Sequence, residues 1–258
     1  MNRLSDVLAP PRPPQPKGPW AWAMRWQRLL LAHWPIAADV LGQAVPPSLA
    51  LDTYDGSAWL GVVPLEMSQV RARRLWPMPG LCRFPLLQVR TYVTADDRPG
   101  IYCFSLDASH LRAVDAIRTR LHLPCFASQM TCQSDGTGHT HYLSRRTDPL
   151  APAATFAARY RPVAAPYQAK PGTLEYFLTQ RDCLYTTDGH GQCHRSALHY
   201  APAPLQQAQA DLQVCEMAGP LGLALPHSPT ALHYIHQRDV KLWRPTPVSS
   251  PTSTCITP

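Results

Sequence analysis

Phe84 to Met130 reads FPLLQVRTYVTADDRPGIYCFSLDASHLRAVDAIRTRLHLPCFASQM, and its pattern decides the fold class. Leu87, Val89, Thr91 and Val93 alternate with Gln88, Arg90, Tyr92 and Thr94, the two-residue period of a strand with unlike faces. Asp96-Asp97-Arg98-Pro99-Gly100 is a turn signal: proline fixes φ and glycine permits positive φ. Ile101 to Leu106 predicts a second strand, rich in aromatic and apolar residues. Leu111, Val114, Ile117, Arg118 and Leu121 recur at three and four residues and predict a helix, with Asp107 or Ser109 placed to cap it. Arg118 sits on that mostly apolar face. A guanidinium aimed at a core needs an anion or a carbonyl cluster for its five donors. Pro124 ends the helix and starts the next strand.

Outward from this stretch, strands predominate. Ala58 to Arg73 reads as a strand, joined to Leu49–Asp52 as a hairpin through the Asp55-Gly56 turn. Further strands are predicted at 128–133 with 139–146, at 155–161, at 183–187 with 192–199, at 205–216 and at 232–243. Helices are predicted at Trp20–His33, where Trp22, Trp26, Leu29, Leu30 and His33 share one side at helical spacing, and briefly at 39–43, 171–178 and 217–223. About ten strands without βαβ alternation give an α+β fold with a large antiparallel sheet. Residues 1–19 and 245–258 are proline-rich and read as disordered tails around a single domain over 20–244. The Pro/Gly-rich segment Trp76–Pro85 reads as a loop covering an opening or as a plain connector.

Composition narrows the function classes. The chain has 258 residues, 45% of them hydrophobic, and a formal charge of +7. Only Lys17, Lys170 and Lys241 are lysine; the other basic residues are arginines. They are dispersed, and no nucleic-acid motif accompanies them, so nucleic acid is not an expected partner. No apolar run reaches 18 residues and no signal-peptide pattern is present, so the chain is expected to be cytoplasmic, without a membrane partner. Eight cysteines without a CxxC pair read as buried reduced thiols. Cys193 and His194 are adjacent and face opposite ways on a strand, which opposes a zinc site with Cys183 and His190. No metal and no cofactor are expected: nucleophile-elbow and phosphate-cradling motifs are absent.

Candidate site residues are few. Glu66 is the only acid between Asp55 and Asp96; facing inward it is an acid or base, facing outward a solvated strand charge. Arg90 and Glu175 either line a cavity or pair with each other.

Three runs, DGSAWLGVVPLEM, VRTYVTADDRPGIYCFSLDA and PGTLEYFLTQRDCLY, resemble the YqjF-like family of uncharacterised bacterial proteins (domain of unknown function 2071), over about Arg25 to Arg244. The resemblance implies a fold similar to acetoacetate decarboxylase, an antiparallel β-barrel or cone around a cavity with a few outer helices. In that enzyme a helical arginine precedes, by six residues, a proline and two lysines, the first of which forms a Schiff base. Arg118 and Pro124 keep the spacing, but Cys125 and Phe126 stand at the lysine positions, so Schiff-base decarboxylation is not expected. The resemblance places Arg118 beside the cavity, as the anchor of a small, anionic organic ligand. It makes Cys125 a weak nucleophile candidate, with Arg118 or His122 as the cation that would lower its pKa. Family members also carry a glutamate near Arg90, where this chain has Leu86-Leu87-Gln88. Two alternatives stay open: an enzyme acting on a keto acid without a Schiff base, and a structural or partner-binding protein whose barrel is plugged. The resemblance leaves homo-oligomerisation open.

Overall fold

The computed structural model describes residues 16–76 and 83–248. The expected tails therefore lie outside the described residues over 1–15 and 249–258, as does most of the expected loop at 76–85.

Strand β1 (Trp22–Ile36) leads through a short helix, α1 (Ala38–Gly42), to β2 (Ala50–Leu51), β3 (Ala58–Ala72), β4 (Arg83–Ala95) and β5 (Arg98–Ala108). Helix α2 (Leu111–Leu121) follows, then β6 (Cys125–Ser134), β7 (Thr140–Arg146) and β8 (Thr155–Pro162). Helix α3 (Leu174–Thr179) precedes the hairpin of β9 (Cys183–Thr187) and β10 (Cys193–Tyr200). The order closes with β11 (Gln206–Cys215), β12 (Ala231–Leu242) and β13 (Thr246–Pro247).

Five strands, β12-β1-β3-β4-β5, form one wall, and both of its edges fork. At one edge, Gly100–Tyr102 of β5 pairs with β9, while Leu106–Ala108 pairs with β6, both in parallel. At the other, Leu242 and Val240 of β12 pair with β10, while Tyr234 and His233 pair with β11. The wall is thus closed twice. Through β6-β7-β8-β11 it makes a nine-stranded mixed barrel. Through β9-β10 it makes a smaller ring over its opposite face. A wall covered on both faces needs strands apolar on both sides, and β3 is buried almost without interruption from Ala58 to Met67. Its alternate residues feed two cores. Trp59, Val63, Leu65 and Met67 pack under the smaller ring with α2 and α3. Ala58, Leu60 and Val62 pack inside the nine-stranded barrel with Tyr142, Phe156 and Tyr160. The α+β barrel expected from the sequence is the observed fold.

Three local expectations are corrected. Trp20–His33 is not a helix; from Trp22 on it belongs to β1. At Arg28 the backbone enters the left-handed region (φ 54°), and the β1–β3 register shifts between Gln27 and Ala32. Trp26 and Leu29, three apart, thereby fall in the same core. A bulge shifts a strand's phase by one, so the apolar spacing mimics a helix. Second, the Asp55-Gly56 turn exists (φ 49° and 76°) but does not pair its flanking strands: β2 pairs with β4. Third, the sheet extends past residue 244: Thr246 and Pro247 pair with Arg195 and His194, and Val248 is buried.

The β4–β5–α2 unit follows the sequence closely. Asp96 and Asp97 both take positive φ (51° and 55°), as a two-residue hairpin turn requires, whereas Pro99 and Gly100, expected to make the turn, lie in β5 and Gly100 is not at positive φ. Helix α2 starts at His110 without a side-chain cap. Asp107, expected as a cap, is instead fully buried and held by Arg146 through two 2.8 Å contacts.

Candidate anion-binding chamber

The wall face under the smaller ring changes character along its length. On β4, Phe84 and Leu86 line an apolar cavity of about 90 Å³, Gln88 closes one side of it, and Arg90 and Tyr92 continue the same row. On β12, Leu242 lines the cavity, Val240 is in the same core, and Arg238 comes next. On β1, Trp22, Met24 and Trp26 line it, and His33 lies beyond. Side chains two apart on a strand share a face, so β4 and β12 lead in step from apolar to cationic, and β1 leads to the imidazole of His33.

At the cationic end, Arg90 and Arg238 are about 5% and 6% exposed. Among the described residues neither has a carboxylate within ion-pair distance. Arg90 donates to Gln88 Oε1 (3.3 Å), to the Tyr92 hydroxyl (3.4 Å) and to the Leu178 carbonyl (3.5 Å). Arg238 donates Nη1–H to the Thr179 carbonyl (3.3 Å) and stacks over Tyr200 at 4.1 Å. Arg90 Nε and Arg238 Nε and Nη2 are buried without a hydrogen-bond partner. A third guanidinium, Arg181, stacks over Phe177 and Tyr92 but is neutralised by Asp52. The carbonyls that meet these cations belong to the last turn of α3, the negative end of a helix. Thr173 starts that helix, its hydroxyl accepting Tyr176 N–H at 3.4 Å.

His33 is completely buried, with Nε2 2.7 Å from the Tyr92 hydroxyl. Burial, and after it the Arg90 and His233 charges, hold its pKa well below the ordinary histidine range. It is neutral at neutral pH. Burial raises the Tyr92 phenol, which stays protonated. For Arg238, burial disfavours the charged form and Arg90 adds to that effect. The guanidinium stays protonated nonetheless, so two buried cations lie in each other's field beyond Gln88, and neither lines the apolar cavity.

The residues expected from the sequence separate. Arg90 is in the chamber. Glu175 is at its edge, half-exposed, 4.0 Å from His233 Nε2; it does not pair with Arg90. Glu66 is buried but faces the nine-stranded barrel, paired with Arg28 at 3.2 Å and Arg83 at 3.6 Å. Arg118 finds both the anion and the carbonyl its position demands: Asp148 at 2.5 Å and the Cys125 carbonyl at 2.5 Å. It lines a groove of about 350 Å³ at the fork of β6 and β9, outside the cavity, with Cys103 and Leu123 as the common wall. Arg118, expected as the ligand anchor, is thus already neutralised. Cys125 is fully buried, and burial pushes its thiol up to about 12, against the expectation of an activated nucleophile. Phe126 lies between the Arg118 and Arg146 guanidinia at 5.6 and 4.7 Å. Among the described residues no His/Cys/Asp/Glu group is placed to hold a metal ion, and His194 pairs with Asp188. No helix described here is long and apolar enough to cross a membrane.

His33, Tyr92, Arg181, Tyr200 and Arg238 were not singled out from the sequence. They come from five elements or loops separated by up to 205 positions, and no local motif connects them.

This doubly closed wall has the fold of acetoacetate decarboxylase. The chain aligns with acetoacetate decarboxylase from Legionella pneumophila at a TM-score of 0.61 and 12% identity, over 92% of each chain. It aligns with the enduracididine biosynthesis enzyme MppR complexed with pyruvate at a TM-score of 0.62 and 12% identity, over 90% of this chain and 92% of that one. Within that fold the chain belongs to the family of uncharacterized conserved proteins DUF2071, which matches residues 23–239. It is 40% identical over 228 residues to the uncharacterized protein YqjF of Bacillus subtilis, covering 88% of this chain and 93% of that one.

Proposed function

We propose that the chain binds a small organic anion, a carboxylate, at the cationic end of the chamber. One observation carries this reading: among the described residues Arg90 and Arg238 are buried without a carboxylate, and three of their N–H-bearing nitrogens have no partner. An uncompensated buried charge costs several kcal/mol, and a bound carboxylate accepting from both guanidinia offsets that cost. The pyruvate in MppR, a protein of the same fold, is a ligand of this class. A Schiff-base route has no support, because none of the three lysines lines the cavity. The neutral His33 beside Arg90 favours a second reading, in which the bound acid is a keto acid and His33 is the proton acceptor in its turnover.

The test is thermal unfolding of wild type, Arg90→Met and Arg238→Met with small carboxylates, keto acids and their neutral amides. At one hundred times its dissociation constant a ligand stabilises by about 2.7 kcal/mol, roughly 5–10 °C for a chain of this size. Acids should shift wild type, amides should not, and both variants should lose the response. Equal shifts by acids and amides, or unchanged shifts in the variants, would sink the proposal.

A further inference from the structure

The apolar cavity beyond Gln88 has no part in holding a charge. Among the described residues its lining contains no charged side chain and one side-chain amide, that of Gln88. Gln88 Oε1 already accepts from Arg90, so the amide marks the boundary between the cationic end and the cavity. Leu86 and Arg90 stand four residues apart on one face of β4, with Gln88 between them. Leu242 and Arg238 repeat that spacing on β12. An apolar cavity walled by Trp, Met, Leu and Phe takes up apolar groups.

We infer that the ligand is an amphipathic acid whose carboxylate meets Arg90 and Arg238 and whose alkyl tail runs past Gln88 into the cavity between β4, β12 and α2. This rests on the anion reading above. The cavity volume of about 90 Å³ sets the tail length. A cavity of roughly 150 Å³ takes up one benzene, about 25 Å³ per carbon, so this one takes roughly three to four non-hydrogen atoms. The chemical class is therefore an aliphatic acid of about four to six carbons. A one-carbon acid would leave the cavity empty; a long-chain acid would overfill it.

Calorimetric titration of the full chain with acetate, butyrate, hexanoate, octanoate and dodecanoate tests this, with hexanol as the uncharged control. Each methylene that enters the cavity should tighten binding about threefold to fourfold, up to about six carbons, with a loss at dodecanoate. Hexanol should bind far more weakly than hexanoate. Ala113→Leu, which places a larger side chain on the α2 wall, should move the optimum to a shorter acid. If that variant does not fold, the wild-type length profile decides alone. Acids that bind through Arg238 with affinity independent of length would overturn the tail and leave the anion site standing. Affinity that climbs through dodecanoate and survives Arg238→Met is surface adsorption and overturns it as well. Binding of no acid at any length would remove both readings.

Discussion

The Tyr92 hydroxyl stands 2.7 Å from His33 Nε2 and 2.9 Å from the Leu178 carbonyl, to which it donates. It ties the buried imidazole to the last turn of α3 and holds it beside two arginines.

That arrangement sets an acid limit on stability. His33 and His233 both have folded pKa values below the ordinary 6.5. Below pH 6.5 the unfolded chain takes up protons that the folded chain refuses, so stability is full above that pH and falls as the pH drops toward the folded values. The slope reaches about 1.4 kcal/mol per pH unit for each histidine. Urea unfolding of wild type should weaken between pH 7 and 5. His33→Gln should start less stable at pH 7 and decline less steeply. Equal slopes would show that His33 does not refuse a proton.

Arg238 should be a functional residue held at a cost in stability. Replacing a buried, unpaired guanidinium by a flexible apolar side chain removes the desolvation penalty. Arg238→Met should raise the ligand-free melting temperature by about 2–6 °C, for a gain of about 1–2 kcal/mol. A fall of several degrees would mean that the Thr179 carbonyl and the Tyr200 ring satisfy the charge on their own.

Gly61 should be a positional glycine. A Cβ there would stand 2.8 Å from His33 Nε2 and 2.9 Å from Cδ2, and both are closer than real contacts allow. Gly61→Ala should push the imidazole off Tyr92, cost about 1–3 kcal/mol by overpacking, and weaken carboxylate binding. A variant with wild-type stability and binding would show that His33 moves freely.

Cys125 should be chemically silent. Its thiol is pushed up to about 12, chiefly by burial, and Cys103 and Cys183 are pushed to about 12 for the same leading reason. Thiolate is the reactive form. Native protein treated with iodoacetamide at pH 8 should carry no label on these three residues by mass spectrometry, and Cys125→Ala should bind carboxylates like wild type. Rapid labelling of Cys125 would restore it as a nucleophile.

The sequence made the scaffold legible where local rules and tertiary demands agree. Asp96-Asp97 turns the β4–β5 hairpin, and Thr173 caps α3. Where they disagree, the sequence misleads. The bulge at Arg28 gives β1 a helical spacing of tryptophans and leucines. The spacing from Arg118 to Pro124 is present, yet the spacing alone does not reveal that Asp148, thirty residues on, neutralises the arginine. Arg238 could have been noticed as an arginine within a strand of apolar alternation. Its burial depends on Trp26, its rung partner on β1, and on Tyr200 above it, neither of which is near it in sequence. Arg90 stands out because it lies in VRTYVTADDRPGIYCFSLDA, one of the runs that carry the family resemblance; Arg238 lies outside all three runs.

The central claim is that the Arg90–Arg238 pair receives an anion. The most direct measurement is a crystal of the protein soaked in sodium bromide and measured at the bromine absorption edge. An anomalous peak within hydrogen-bonding reach of Arg238 Nη2 and Arg90 Nε, lost in Arg238→Met, is the predicted result. Bromide confined to exposed arginines, with the buried pair bridged by nothing anomalous, would contradict it.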